Sequence, residues 1–291
     1  MQVLMSTVNI SEGKNRDIID KVQAALMAEG NLTLSQVSID PDHNRTCYSY
    51  RGEAKDMLEG TKRLAKTAIE LIDMTTHHGE HPRMGAVDVV PFIPVSGITI
   101  EEAKVYAVEF GKYVASLGVP VYYYEENSNN PDRKLLTQIR KGEYEGLAEK
   151  IIDPKWAPDE GAAVFNAKSG ATVTGVRFPL VAFNMYLNTT DMSIGKAIVK
   201  RIRQATGGFQ YVRAIALFIP EVNQVQISCN LTNYEKTPIY TVLETVKSEA
   251  SGYGVTVVKS ELVGATPLAA MEDVIRFYLR ATDFTVDLLY S

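Results

Sequence analysis

Apolar and polar positions change period along this chain, and the changes mark out its elements. Val3 to Ile10 is an apolar run rich in strand formers, stopped by Ser11-Glu12-Gly13. Lys14 to Ala28 switches to helical spacing, with Ile18, Ile19, Val22, Ala25 and Leu26 on one face. Leu32 to Ile39 and Arg45 to Arg51 read as strands, the first stopped by Asp40-Pro41-Asp42. Glu53 to Thr76 predicts a long helix. Met57, Leu64, Ala68 and Leu71 recur at helical spacing, with Leu58, Ala65, Ile69 and Ile72 beside them. Val87 to Pro94 reads as a strand, so the order is β-α-β-β-α-β.

A further helix spans Thr99 to Leu117, opened by the capping-box pattern Thr99-Ile100-Glu101-Glu102. Val119 to Tyr124 follows as a strand, Glu125 to Asp132 as a polar loop, and Lys134 to Ile152 as broken helix. The first order then recurs. Leu180 to Leu187 is a strand, and Asp191 to Ala205 a helix stopped by Gly207-Gly208. Val212 to Ile219 and Val225 to Leu231 form a hairpin. Pro238 to Ser251 is a helix, Val255 to Val263 a strand and Pro267 to Leu279 a last helix. This predicts an α/β (α+β) protein of two ferredoxin-like split-βαβ sandwich subdomains, residues 1–178 and 179–291, related by duplication. A cleft between them is the expected ligand site. The duplication rests on element order, because the halves share no residue-level repeat.

Composition narrows the functional classes. No apolar run approaches the roughly 20 residues of a membrane helix, and Met1-Gln2-Val3-Leu4-Met5 has no signal-peptide character. The two cysteines, Cys47 and Cys229, give no disulfide framework, so a cytoplasmic location is expected. A net charge of −5 argues against a general nucleic-acid partner while allowing a local basic pocket.

Candidate chemistry gathers in the first half. All four histidines are there: His43 in Asp40-Pro41-Asp42-His43-Asn44-Arg45, and His77, His78 and His81 in one loop. His81 is the strongest acid/base candidate, stiffened by Pro82 and flanked by Gly79 and Gly85. A helix-terminal histidine is the competing reading. His77-His78-x-x-His81 hints at metal, yet Gly79 and Pro82 break the helix that would align such ligands and no partner set follows. No metal is expected, and His77 and His78 read as surface or helix-capping residues. Arg45 and Arg83 would suit an anionic substrate, although an ordinary surface ion pair is an equal reading of either taken alone. The Gly/Ala-rich stretch from Trp156 to Thr172 could let a flat ring approach the backbone, or be a linker. Walker A, G-x-G-x-x-G and G-x-S-x-G patterns do not occur.

Together these pieces resemble the glutamate formiminotransferase family, including the formiminotransferase domain of bifunctional formiminotransferase-cyclodeaminase. The resemblance is carried by Asn9-Ile10-Ser11-Glu12-Gly13-Lys14-Asn15, by His43-Asn44-Arg45-Thr46 and by the long run from Gly79-Glu80-His81-Pro82-Arg83-Met84-Gly85 to Val95. Gly142-Glu143-Tyr144-Glu145, Trp156-Ala157-Pro158-Asp159 and Gly170-Ala171-Thr172-Val173 add to it. Leu180 to Asn184 and Gln226 to Leu231 match more weakly.

The resemblance implies transfer of a formimino group from N-formimino-L-glutamate to N5 of tetrahydrofolate, a co-substrate, in histidine degradation and one-carbon metabolism. It implies His81 as the catalytic residue, and a homodimer. It implies folate binding by the segment Gly161, Ala162, Ala163, Val164, Phe165, Asn166, Ala167, Lys168, Ser169 and Gly170. On chemical grounds Arg45, Arg83 and Lys168 are candidate partners for substrate carboxylates. One imidazole can in principle serve both proton transfers. An acid found in bifunctional members six positions before the Asn of Asn-Arg-Thr is Ser38 here, so Asp40 or Asp42 would have to orient the histidine if any acid does. With no cyclodeaminase domain after Ser291, no deaminase activity is expected. The alternatives are a formiminoglycine or formyl donor on the same fold, or a folate-binding protein without turnover.

Overall fold

Four strands of the first unit, Met1–Arg177, answer to the predicted β-α-β-β-α-β order. They are β1 (Val3–Ile10), β2 (Leu32–Asp40), β3 (Arg45–Glu53) and β4 (Val87–Ser96), lying in the spatial order β2-β3-β1-β4 with every pair antiparallel. Helices α1 (Arg16–Met27) and α2 (Ala54–Leu71) bury Ile19, Val22, Leu26, Met57 and Leu64 in one core with Leu4, Val8, Tyr48 and Tyr50 of the sheet. Asn15 caps α1 by accepting the Asp17 and Ile18 N–H groups. This computed structural model describes residues 1–264 and 266–289; the last two residues of the expected C-terminal subdomain, Tyr290 and Ser291, lie outside them.

The predicted long helix stops at Leu71 rather than Thr76. Ile72 turns extended, and Asp73 Oδ1 accepts the Thr75 N–H at 2.9 Å, a turn that competes with the helix. Helix α3 (Ile100–Ser116) carries the expected capping box at Thr99 and Glu102. After it come β5 (Val121–Tyr123) and β6 (Thr172–Val176), which extend the sheet in the order β4-β6-β5, both pairs parallel. Sequence reasoning placed only a small-residue loop before β6 and no strand. The short helices α4 (Leu136–Ile139) and α5 (Leu147–Lys150) realise the broken helix. They bring Ile139, Leu147 and Ile151 into a second core with Met84, Val89, Tyr122, Tyr124 and Val173. With a core on each side, β4 is buried at every position from Val87 to Ile93.

The second unit, Phe178–Ser291, repeats the plan. Strands β7 (Val181–Leu187), β8 (Val212–Ile219), β9 (Gln224–Leu231) and β10 (Val257–Val263) lie as β10-β7-β9-β8, all antiparallel. This is the strand order of the first four strands of the first unit, so the duplication read from element order is a duplication of topology. Helices α6 (Met192–Ile202), α7 (Ile239–Gly252) and α8 (Leu268–Leu279) pack on a core around Phe183, Ile198, Ile227 and Val242. Among the described residues no helix is long and apolar enough to cross a membrane.

Candidate active site

Three loops of the first unit meet where β1 ends, β2 turns into β3, and the chain enters β4. Asn44 is their junction. It sits at φ +47°, a left-handed conformation that Asn tolerates better than most residues. Its Oδ1 accepts the Gly13 N–H at 2.9 Å, its Nδ2 donates to the His78 carbonyl at 2.9 Å, and its own carbonyl accepts His77 Nε2–H at 2.8 Å. Gly79 passes so close that a Cβ there would lie 2.3 Å from the His43 carbonyl oxygen. Gly79 and Gly85 are therefore required for close backbone approach, and neither has positive φ.

The loops enclose a small cavity lined by His81, His43, Arg45, Asn9, Asp88 and the edges of His77 and Arg83. His81 is half-buried there. Its Nδ1 lies 2.7 Å from the Pro82 carbonyl oxygen. A carbonyl can only accept, so Nδ1 carries the proton and the neutral ring keeps its lone pair on Nε2. Burial, and then the Arg45 guanidinium, hold the ring's pKa below the usual imidazole range. Arg45 donates to Asn9 Oδ1 and, among the described residues, has no carboxylate at ion-pair distance. The cavity thus joins a neutral base to an arginine with charge to spare.

Arg83 is placed differently. It is buried, and Glu145 takes it in a bidentate grip at 2.8 and 2.5 Å, with Glu143 at 3.3 Å. Its Nε–H reaches His77 Nδ1 at 3.3 Å. The guanidinium expected to meet a substrate carboxylate is occupied by two carboxylates of the protein, and it holds Glu145 below the usual carboxylate range. His77 is neither a surface residue nor a cap. It is buried with both ring nitrogens engaged, by Arg83 and by the Asn44 carbonyl, which leaves neither for a metal. His78 is exposed. Asp40 pairs with His43 at 2.6 Å rather than with His81.

The loop after His81 is anchored from below. Buried Asp88 accepts the Met84 N–H at 2.9 Å and pairs with Arg140. Ala86 N–H donates to the Ser169 carbonyl and Ala171 N–H to the Met84 carbonyl, at 2.9 and 3.0 Å. These bonds stitch the end of the 161–170 segment to the His81 loop. Gly161 to Val164 are exposed, and Phe165 lies 5.5 Å from the Tyr144 ring. Lys168 Nζ donates to the Glu70 carbonyl at 2.8 Å. Sequence reasoning assigned no role to Glu143, Glu145, Asp88 or Arg140. The acid-aromatic-acid alternation Glu143-Tyr144-Glu145 was the available signal, but its partner stands 60 residues away.

Known proteins match nearly the whole chain. Residues 3–177 match the family described as "Formiminotransferase domain, N-terminal subdomain", and residues 182–288 match the "Formiminotransferase domain". A "Glutamate formimidoyltransferase" of Streptococcus pyogenes serotype M1 is 42% identical over 281 residues, covering 95% of this chain and 93% of its own length. Another from Thermoplasma acidophilum is 42% identical over 287 residues, covering 98% and 94%. The "Formimidoyltransferase-cyclodeaminase" of Sus scrofa is 41% identical over 283 residues, but the match takes up only 52% of that longer protein.

Proposed function

The chain belongs to the formiminotransferase family, and from that premise we propose that it is a glutamate formimidoyltransferase, moving the formimino group of N-formimino-L-glutamate to N5 of tetrahydrofolate. The observation that carries the chemical part is His81: a neutral imidazole, anchored through Nδ1–H, with Nε2 open to the cavity and a cation alongside. N5 attacks a trigonal carbon, and its proton must leave as the new bond forms. His81 Nε2 is the base for that step. Such proton transfer is worth about 10²–10⁴-fold, so positioning of the two substrates supplies much of the remainder.

Arg45 is the carboxylate partner in this reading, and Arg83 keeps the loop rigid. The exposed small residues Gly161 to Ala163, with Phe165 near Tyr144, offer a flat surface for the pteridine ring of folate. Cytoplasmic location and a homodimer belong to the same proposal, as does the absence of a metal requirement. The test is turnover with tetrahydrofolate and each donor, following the 5-formimino product, in the wild type and in His81→Ala. The expected result is turnover with formiminoglutamate, a loss of at least about 10²-fold in the variant, and folate binding still measurable. Preference for formiminoglycine or a formyl donor would reassign the substrate. Folate binding without any turnover would make the protein a binder, and a near-normal rate in the variant would remove His81 from the chemistry.

A further inference from the structure

Two imidazoles, not one, are built into this cavity. The rings of His43 and His81 stand edge-on at 83° with centroids 5.8 Å apart. Their spacing is set by the fold. His43 is held by Asp40 twice, its backbone N–H on Oδ1 at 2.9 Å and its Nδ1 on Oδ2 at 2.6 Å. The next residue, Asn44, bonds both to the His78 carbonyl and to the His77 ring, and Gly79 packs directly on the His43 carbonyl. The turn that carries one ring is thereby welded to the loop that carries the other.

The surroundings of the two rings differ in a chemically useful way. In His81 the Nδ1 proton ends on a neutral carbonyl, and burial beside Arg45 disfavours its cation. In His43 the Nδ1 proton ends on a carboxylate, which orients the ring and leaves Nε2 free of that contact. Asp40 is itself held below the usual carboxylate range, first by the His43 backbone N–H and then by the ring. The other charged or titratable groups around the pair are Asp42 in the same turn, Arg45, Asp88, His77 and Arg83. Asp88 is taken by Arg140, and Arg83 by Glu143 and Glu145, so Asp40 is the carboxylate that serves His43.

Resting on the formimidoyltransferase reading above, we propose that His43 is the general acid of the reaction and His81 the base. As the bond from N5 to the formimino carbon forms, the C=N π pair of the amidinium moves onto its imino nitrogen, which becomes a neutral amine, and the N5 proton passes to Nε2 of His81. The tetrahedral carbon then carries both N5 and the glutamate nitrogen. As the bond to the glutamate nitrogen breaks, the lone pair of the former imino nitrogen re-forms the C=N bond, the departing electron pair takes the proton from Nε2 of His43, and glutamate leaves with a free amine. The enzyme is left with cationic His81 and neutral His43. One proton passing between them through solvent restores the starting state.

The test uses the full chain, formiminoglutamate and tetrahydrofolate, with kcat measured across the neutral pH range for wild type and His43→Asn. The variant keeps a donor for Asp40 and loses the titrating group. Its kcat is expected to fall about 10²-fold. The decline of kcat at high pH, which reports the acid, should vanish while the decline at low pH, which reports His81, stays. With a formimidoyl donor whose leaving group is a thiolate, stable as the anion and needing no acid, the loss in His43→Asn should shrink to less than about tenfold. Wild-type kcat with an unchanged high-pH limb, or equal losses with both donors, would overturn the assignment. Should His43→Asn fail to fold, Asp40→Asn decides alone. It frees the His43 ring from the carboxylate that holds it, so kcat should fall with formiminoglutamate and much less with the donor that needs no acid, and equal losses overturn the proposal. A wild type that does not turn over at all fails the functional reading itself, before any variant is compared.

Discussion

The two units share a strand order and differ in what lies on the fourth strand. In the first unit β4 is buried at every residue from Val87 to Ile93, while β10, its counterpart in the second, is exposed at Val258, Leu262 and Val263. The cause is the segment between α3 and the unit boundary. It adds β5 and β6 to the sheet and lays a second core over it. The same segment supplies Arg140, Glu143 and Glu145, which hold Asp88 and Arg83 on either side of Met84. A sheet plan used twice therefore carries the candidate site once, where an added layer fixes the loop that leads into the strand.

The largest expected effect tests that layering directly. Val89 in β4 is buried in the second core, and Val89→Ala should cost about 2–3 kcal/mol in denaturant unfolding. Val258→Ala in β10, at a residue 51% exposed, should cost less than about 0.5 kcal/mol. Equal costs would mean that the second layer contributes nothing. A smaller effect comes from glycines. A Cβ at Gly85 would lie 2.3 Å from the Ser169 carbonyl oxygen, whereas one at Gly252 meets nothing within 4 Å. Gly85→Ala should part the 161–170 segment from the His81 loop and raise the KM for folate about tenfold, roughly 1.4 kcal/mol. Gly252→Ala should leave it unchanged and stabilise α7 slightly. A Gly85→Ala enzyme with wild-type KM would separate that segment from folate binding.

The smallest effect concerns pH, and it sharpens the comparison because all four histidines belong to the first unit. Burial, the largest cause for each, lowers the pKa of His77 and of His81 below 6.5 in the folded chain. As pH falls through 6.5 the unfolded chain takes up protons that the folded one resists, so stability should decline below that point. Above it the two states bind the same number and the slope vanishes. His77→Gln should flatten the decline. Hydrogen exchange should show it in the first unit, and an equal decline in the second would refute the assignment.

Most of the architecture was legible because it is periodic. β1 and β8 run where alternation and strand formers put them, and α3 begins at its capping box. What escaped was held by non-local bonds. β6 is five residues long and follows a small-residue loop, so its pairing with β4 and β5 left little local trace beyond the β-branched Thr172-Val173-Thr174. The site was legible in its residue types more than in their partners. His81, Arg45 and His43 do meet. Arg83 offered the same cationic chemistry in sequence, and only the folded chain brings Glu143 and Glu145 onto it. His77 was indistinguishable from a surface histidine until its two ring bonds could be seen.

Asn44 has a consequence for how this region moves. One residue bonds the start of the α1 loop, the loop between α2 and β4, and the turn between β2 and β3. None of the three can detach without breaking bonds held by another, so they share a single opening free energy instead of fraying one by one. The cavity exists whole or not at all, and its lifetime is that of the three loops opening together.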